Sequence, residues 1–158
     1  MSIQFFSQNI LFLLKKKNIY KKIILSVIQK EKKKVGNIDF IFCNDKFLSS
    51  LNKKYLKHNT FTDIITFDYT SPFIAHLHKK KNKEKISSDI FISIPQVKEN
   101  SKKFKVTFEN ELNRVMIHGI LHLCGYKDKI PGKKKEMKKR ENYYLKKINS
   151  FFCTGGGT

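Results

Sequence analysis

The sequence predicts an α+β domain, a small mixed sheet of about four strands packed with about five helices. Strand-like runs cluster in the first part of the chain, helix-like runs fill the rest, and one helical run separates the first two strands. That order suits helices gathered on a sheet better than strict alternation of strand and helix. At 158 residues, 40% of them hydrophobic, the chain has the length and apolar content for one domain with a substantial core. We place that domain over residues 1–150, followed by a flexible tail over 151–158.

The elements follow in order. Ile3 to Ser7 has the look of a first strand. Asn18 to Lys33 carries Ile19, Ile23, Ile24, Val27 and Ile28 at helical spacing, with lysines on the other face. Gly36 and Asn37 interrupt, and Ile38 to Cys43 reads as a buried strand. Asn44 or Asp45 can cap a second helix bearing Phe47, Leu48, Leu51, Tyr55 and Leu56. Thr62 to Tyr69 is rich in β-branched and aromatic residues and reads as a strand. Ser71 to Lys85 is polar and basic, a mobile loop by composition. Ile86 to Ile94 is the next strand, with Ile86, Ile90, Ile92 and Ile94 on one face. Pro95 fits the first turn of a helix reaching about Phe104, where its missing amide costs nothing. Phe108 to Cys124 forms a longer helix that Gly125 stops with a left-handed cap. Pro131 and Gly132 make a turn before a basic helix from Lys133 to Asn149. The glycine-rich end is no phosphate loop, because no Gly-Lys-Ser/Thr follows it.

The chain carries 33 Lys and Arg against 13 Asp and Glu, a formal charge of +20. Such a charge repels itself unless a polyanion neutralises it, and counterion release makes nucleic acid the natural partner. An AT-rich coding bias would give the same lysine content, so charge alone leaves both readings open. The apolar stretches Ile10–Leu14 and Ile23–Ile28 fall far below the roughly 20 residues of a membrane span. No signal-peptide pattern opens the sequence. Three cysteines at irregular spacing do not make a disulfide framework, and a reducing cytoplasm is the compartment they fit.

The chemistry concentrates in Met116–Lys129, MIHGILHLCGYKDK. His118 and His122 lie four apart on a predicted helix, so both imidazoles leave one face within reach of one ion. Gly125 then turns the chain back, and Asp128 can approach the same ion from outside the helix. Three protein ligands and a water make a catalytic zinc site rather than a structural one. Such an ion acidifies its water and polarises a phosphoryl oxygen. Two histidines at this spacing do not by themselves establish a ligand pair.

The longer string does more. HGxLHLxGY, here His118, Gly119, Leu121, His122, Leu123, Gly125 and Tyr126, resembles the signature of the YbeY endoribonuclease family. Leu51, Asn52 and Tyr55, then Thr62, Asp63, Ile64 and Phe67, and Ser88-Asp89-Ile90 are similar to further blocks of that family, in the same order from about Ile38 to Glu141. The resemblance implies one zinc per chain at the helix end beside a sheet-lined groove, and single-strand-specific cleavage of RNA. It further implies maturation of the 3′ end of 16S ribosomal RNA, ribosome quality control, and the small ribosomal subunit as partner, with no organic cofactor.

Two departures stand out. Where the family motif ends Asp-His, this chain has Lys127 and Asp128, so the third ligand is a carboxylate, which zinc accepts at about the distance of an imidazole. An arginine that the family carries after its tyrosine is Leu56 here, with Lys57 next to it. Lys57 is either a replacement phosphate contact, without the bidentate fork of arginine, or one more solvated lysine. Asp63 and Asp89 are candidate groove residues, although an Asp at a strand end commonly serves a turn. Cys124 is two residues past His122 and faces away from the ion. His58, His76 and His78 read as solvent-exposed, and Phe67 or Tyr69 can stack a base if exposed.

Three functions compete. A zinc endoribonuclease leads. A zinc peptidase would need a Glu after the first histidine as general base, and Gly119 cannot take a proton. A non-catalytic, zinc-stabilised ribosome assembly factor fits the altered third ligand and the missing arginine, since a basic face serves backbone binding as well as cleavage.

Overall fold

Alternating side chains build the sheet, and the computed structural model describes it within residues 2–56, 62–69 and 85–154. Along the chain run β1 (Ser2–Gln8), α1 (Lys17–Lys30), β2 (Lys34–Cys43), α2 (Asp45–Leu51), a π-turn (Asn52–Leu56), β3 (Ile64–Asp68), β4 (Lys85–Ser93), α3 (Ile94–Lys103), α4 (Phe108–Leu123) and α5 (Pro131–Thr154). The strands lie in the order β1-β2-β4-β3. β1 and β4 flank β2 in parallel, and β3 closes the edge antiparallel to β4. Among the described residues this is a mixed four-stranded sheet with five helices, as the sequence predicts.

Period-two alternation sends Ile38, Phe40 and Phe42 of β2 and Ile86, Ile90 and Ile92 of β4 to one face. There they meet Ile24, Val27 and Ile28 of α1, Leu112, Val115, Met116, Ile120 and Leu121 of α4, and Leu145 and Ile148 of α5 in one cluster. The other face is smaller. Cys43, Ile65 and Leu48 of α2 form a second cluster there, with Phe47, Phe67 and Phe91 around it. Ten of the sixteen residues of α4 are buried, so this helix runs through the interior rather than over it. Thr107 caps it, its hydroxyl accepting from the Asn110 amide at 3.1 Å, and Glu109 and Glu111 oppose the positive end of its dipole.

Several boundaries differ from the sequence reading, each for a local reason. Strand β2 starts at Lys34, because Gly36 lies inside it, at a register shift between Val35 and Ile38. A Cβ on Gly36 would stand 2.2 Å from Ser87 Oγ and 2.9 Å from the Ile86 carbonyl, so only glycine lets the strands pair there. Ile94 belongs to α3 and not to β4, because the Ser93 hydroxyl accepts from the Gln96 amide and starts the helix. Widening of α2 into the π-turn turns Tyr55 outward, 55% exposed and edge-on to Phe67. Pro131 opens α5 instead of preceding it, since the first helical turn does not use its missing donor, and the helix continues past Asn149 to Thr154. The expected loop over 71–85 falls almost wholly outside the described residues. No helix among the described residues is long and apolar enough to cross a membrane.

Gly119 and Gly36 make a paired test of this packing. A Cβ on Gly119 would crowd the far end of Ile64, Cδ1 at 2.9 Å, a side chain able to rotate away, and would make ordinary contacts with Ile90 and Thr66 at 3.5 Å each. The obstacle at Gly36 includes backbone. We expect Gly36→Ala to lower the unfolding free energy by about 1–3 kcal/mol and Gly119→Ala to change it less, both read by urea denaturation. Equal effects would contradict the packing described.

Candidate metal centre

The end of α4 is shaped by its cap. Gly125 takes φ 108°, a left-handed conformation that suits a residue without Cβ. Its amide donates to the His122 carbonyl at 3.1 Å and the Tyr126 amide donates to the Leu121 carbonyl at 3.0 Å, the paired bonds of a Schellman turn. The chain therefore folds back over the last turn of α4 and carries Asp128 to the two histidines.

Three ligand atoms converge. His118 Nε2 lies 2.9 Å from His122 Nε2 and 3.4 Å from Asp128 Oδ2, and His122 Nε2 lies 3.5 Å from the same oxygen. Among the described residues this is the one group of His, Cys, Asp and Glu side chains placed to share an ion. A point equidistant from the three atoms is about 1.9 Å from each, close to a Zn–N bond of about 2.0–2.1 Å, so the three residues would hold such an ion. The residues fit the metal. Two imidazoles and a carboxylate suit zinc and other first-row divalent ions without selecting among them.

The outer nitrogens are held as well. His118 Nδ1 meets Glu141 Oε2 at 2.9 Å, and His122 Nδ1 meets the Tyr126 carbonyl at 3.1 Å. A carboxylate and a carbonyl only accept, so both Nδ1 atoms carry the proton and both Nε2 lone pairs face inward. Two lone pairs 2.9 Å apart need a cation between them. Burial opposes the charged form of His118, but the Glu141 carboxylate and then Asp128 and Asp63 outweigh it, and its pKa is raised. Burial and the His118 charge lower that of His122. These opposite shifts favour a proton on His118 over one on His122.

A second network anchors the returning loop. Glu31, at the end of α1, accepts from the Tyr126 hydroxyl at 3.0 Å, and from Arg140 Nε and the Tyr144 hydroxyl at 2.7 Å each. Burial would raise its pKa, yet these hydrogen bonds win and hold the carboxyl below the usual range. Tyr126 is thus fixed at both ends, its hydroxyl on Glu31 and its carbonyl on His122.

The remaining predicted residues are scattered. Asp63, just ahead of β3, feels the His118 charge, and its carboxylate accepts from Asn100 Nδ2 at 3.4 Å. Burial raises its pKa. Asp89 lies elsewhere: alternation along β4 turns it to the opposite face from Ile90, where it accepts from the Tyr69 hydroxyl at 2.5 Å and pairs in register with Asp39. Cys124 packs against the core, and burial pushes its thiol up to about 12. Lys57, His58, His76 and His78 lie outside the described residues. Sequence reasoning misses Glu141 and Glu31. Both have a signal in the sequence: Glu141 falls on the apolar stripe Met137, Tyr144, Ile148 of a basic helix, and Glu31 follows a helix C-terminus, where the dipole disfavours an anion.

With the geometry in hand, comparison with known proteins is direct. The family model described as Endoribonuclease YbeY matches residues 5–149. Endoribonuclease YbeY of Flavobacterium psychrophilum is 43% identical over 141 residues, 89% of this chain and 93% of that protein. Its counterpart in Karelsulcia muelleri is 46% identical over 126 residues, 80% of this chain and 82% of that one. The solution structure of TM1509 from Thermotoga maritima superposes with a TM-score of 0.62 at 24% identity, over 97% of this chain and 93% of the other, a likeness of fold.

Removing the charge behind His118 tests the role of its partner. We expect Glu141→Gln to weaken metal binding about 10- to 100-fold, read by competition with a chromophoric chelator. Unchanged affinity would remove Glu141 from that role.

Proposed function

The chain belongs to the endoribonuclease YbeY family, and on that premise we propose that it is a zinc-dependent, single-strand-specific endoribonuclease. Its substrate in this reading is the 3′ end of 16S ribosomal RNA on the small ribosomal subunit. Its setting is the cytoplasm, and its wider role is ribosome quality control. One domain over residues 1–150 carries the activity. The observation that supports this most is the convergence of two Nε2 lone pairs and one carboxylate oxygen, with both outer nitrogens already committed.

His118, His122 and Asp128 are the proposed ligands of one zinc ion. When bound, the ion supplies a polarised phosphoryl oxygen and an acidified water. Glu141 keeps the proton on His118 Nδ1, and the Tyr126 carbonyl keeps that on His122, so neither imidazole turns from the centre. Asp128 adds a negative charge that three histidines would lack, so a bound water is less acidic here than in a three-histidine site. Asp63, which feels the His118 charge, is proposed as a groove residue, and Lys57 is proposed as a phosphate contact. Gly119, packed against Ile64 and Thr66, offers no group that could act as a peptidase base.

Replacing His118 separates cleavage from binding. In a host that depends on this protein, we expect His118→Ala to abolish cleavage of single-stranded RNA and to cause small-subunit RNA with unprocessed 3′ ends to accumulate, mapped by end sequencing. Normal ends in a strain with stable, RNA-binding variant protein would overturn the nuclease reading in favour of an assembly factor.

A further inference from the structure

A cavity of about 430 Å³ opens beside the metal centre. His118, Asp128 and Glu141 line it, together with Phe104 and Val106 and with Lys134 and Lys138 of α5. Phe104 is 56% exposed and Val106 39% exposed, although both sit in a hydrogen-bonded turn. The Phe104 amide donates to the Asn100 carbonyl at 2.9 Å and the Val106 amide to the Ser101 carbonyl at 3.0 Å. Lys105 between them adopts φ 57°, a left-handed turn at a residue with a side chain. The backbone is thus tied down while the aromatic ring stays more than half exposed, with Lys103 Nζ 5.9 Å from its centroid.

The lining also carries cations. Lys134 and Lys138, one helical turn apart, carry no ion pair among the described residues, whereas Lys133 is bridged to Glu136 at 3.7 Å. Arg114 also lines the cavity, but its guanidinium is committed to Glu141 at 3.2 Å and Asn142 at 3.0 Å. An exposed ring and two uncommitted ammonium groups lining one cavity, in a chain of charge +20, are complementary to one chemistry above others, a base attached to a phosphate.

We infer that Phe104 is a stacking platform for the nucleobase next to the scissile phosphodiester of a single-stranded RNA, with Lys134 and Lys138 taking the adjoining phosphates. The inference rests on reading His118, His122 and Asp128 as the RNA-cleaving centre. A base within a duplex is already stacked on both faces and cannot use the ring, so this subsite favours unpaired nucleotides.

Equilibrium binding tests the subsite without relying on cleavage. The probes are a fluorescent 2′-O-methylated hexa-adenylate, verified intact after titration, and an abasic backbone of the same length. Phe104→Ala is expected to weaken binding of the hexa-adenylate about tenfold and to leave the abasic backbone unaffected. Phe104→Tyr restores the difference. Lys134→Gln with Lys138→Gln weakens both probes alike and lowers the salt slope by about 0.7 for each phosphate that is no longer neutralised. Equal affinity of wild type and Phe104→Ala for the hexa-adenylate would overturn the subsite alone. A wild-type protein that binds neither probe would overturn the RNA-cleaving reading along with it.

Discussion

The close approach of α4 to strands β3 and β4 is the constraint on which the rest depends. At Gly119 the helix has no side chain, and Ile64, Ile90 and Thr66 fill the space where one would stand. That contact is flanked by His118, so the depth of the helix in the core fixes the height of the imidazole at the sheet edge. A helix buried along ten of its sixteen residues has little freedom to rotate or slide. Its C-terminal turn is equally determined, because the Schellman bonds around Gly125 direct the returning chain. The metal centre is therefore assembled by packing and capping, with one ligand contributed by an otherwise irregular loop.

Electrostatics completes what packing begins. The chain holds 33 basic residues and only 13 acidic ones, yet Asp63, Asp128 and Glu141 all act on His118, and Glu111 is coupled to Asp63 and Glu141. A cluster of carboxylates within a basic protein attracts a cation locally while the surface attracts a polyanion. Burial raises the pKa of both Asp63 and Glu111. Glu31 does the corresponding work at the loop. Its three hydrogen bonds join α1, the turn after Gly125 and α5, so the position of Asp128 is tied to elements that bind no metal themselves.

Much of this is legible in the sequence, and the exceptions have physical causes. The i, i+4 histidines and the stopping glycine are local features, and local periodicity locates them. Strand alternation and cap residues likewise yield the order of elements. Gly36 reads as a break because its tolerance within β2 depends on Ser87, a residue on another strand. Tyr55 reads as core because nothing local announces the π-turn that turns it outward. Glu141 and Glu31 act through partners 23 and 95 residues away, a distance over which a single sequence carries no register. Asp63 and Asp89 look alike as strand residues, and only the tertiary structure separates them, Asp63 lying ahead of β3 within reach of the His118 charge and Asp89 inside β4 on the Tyr69 hydroxyl.

Everything proposed for the metal centre depends on Asp128 completing the ligand set that two histidines begin. Native mass spectrometry of wild type beside Asp128→Ala, purified without a metal-binding tag, tests that most directly. One zinc ion per chain in wild type and a sharp loss in the folded variant is the predicted result. Full retention of zinc by Asp128→Ala, or folded wild-type protein that takes up none, would contradict it.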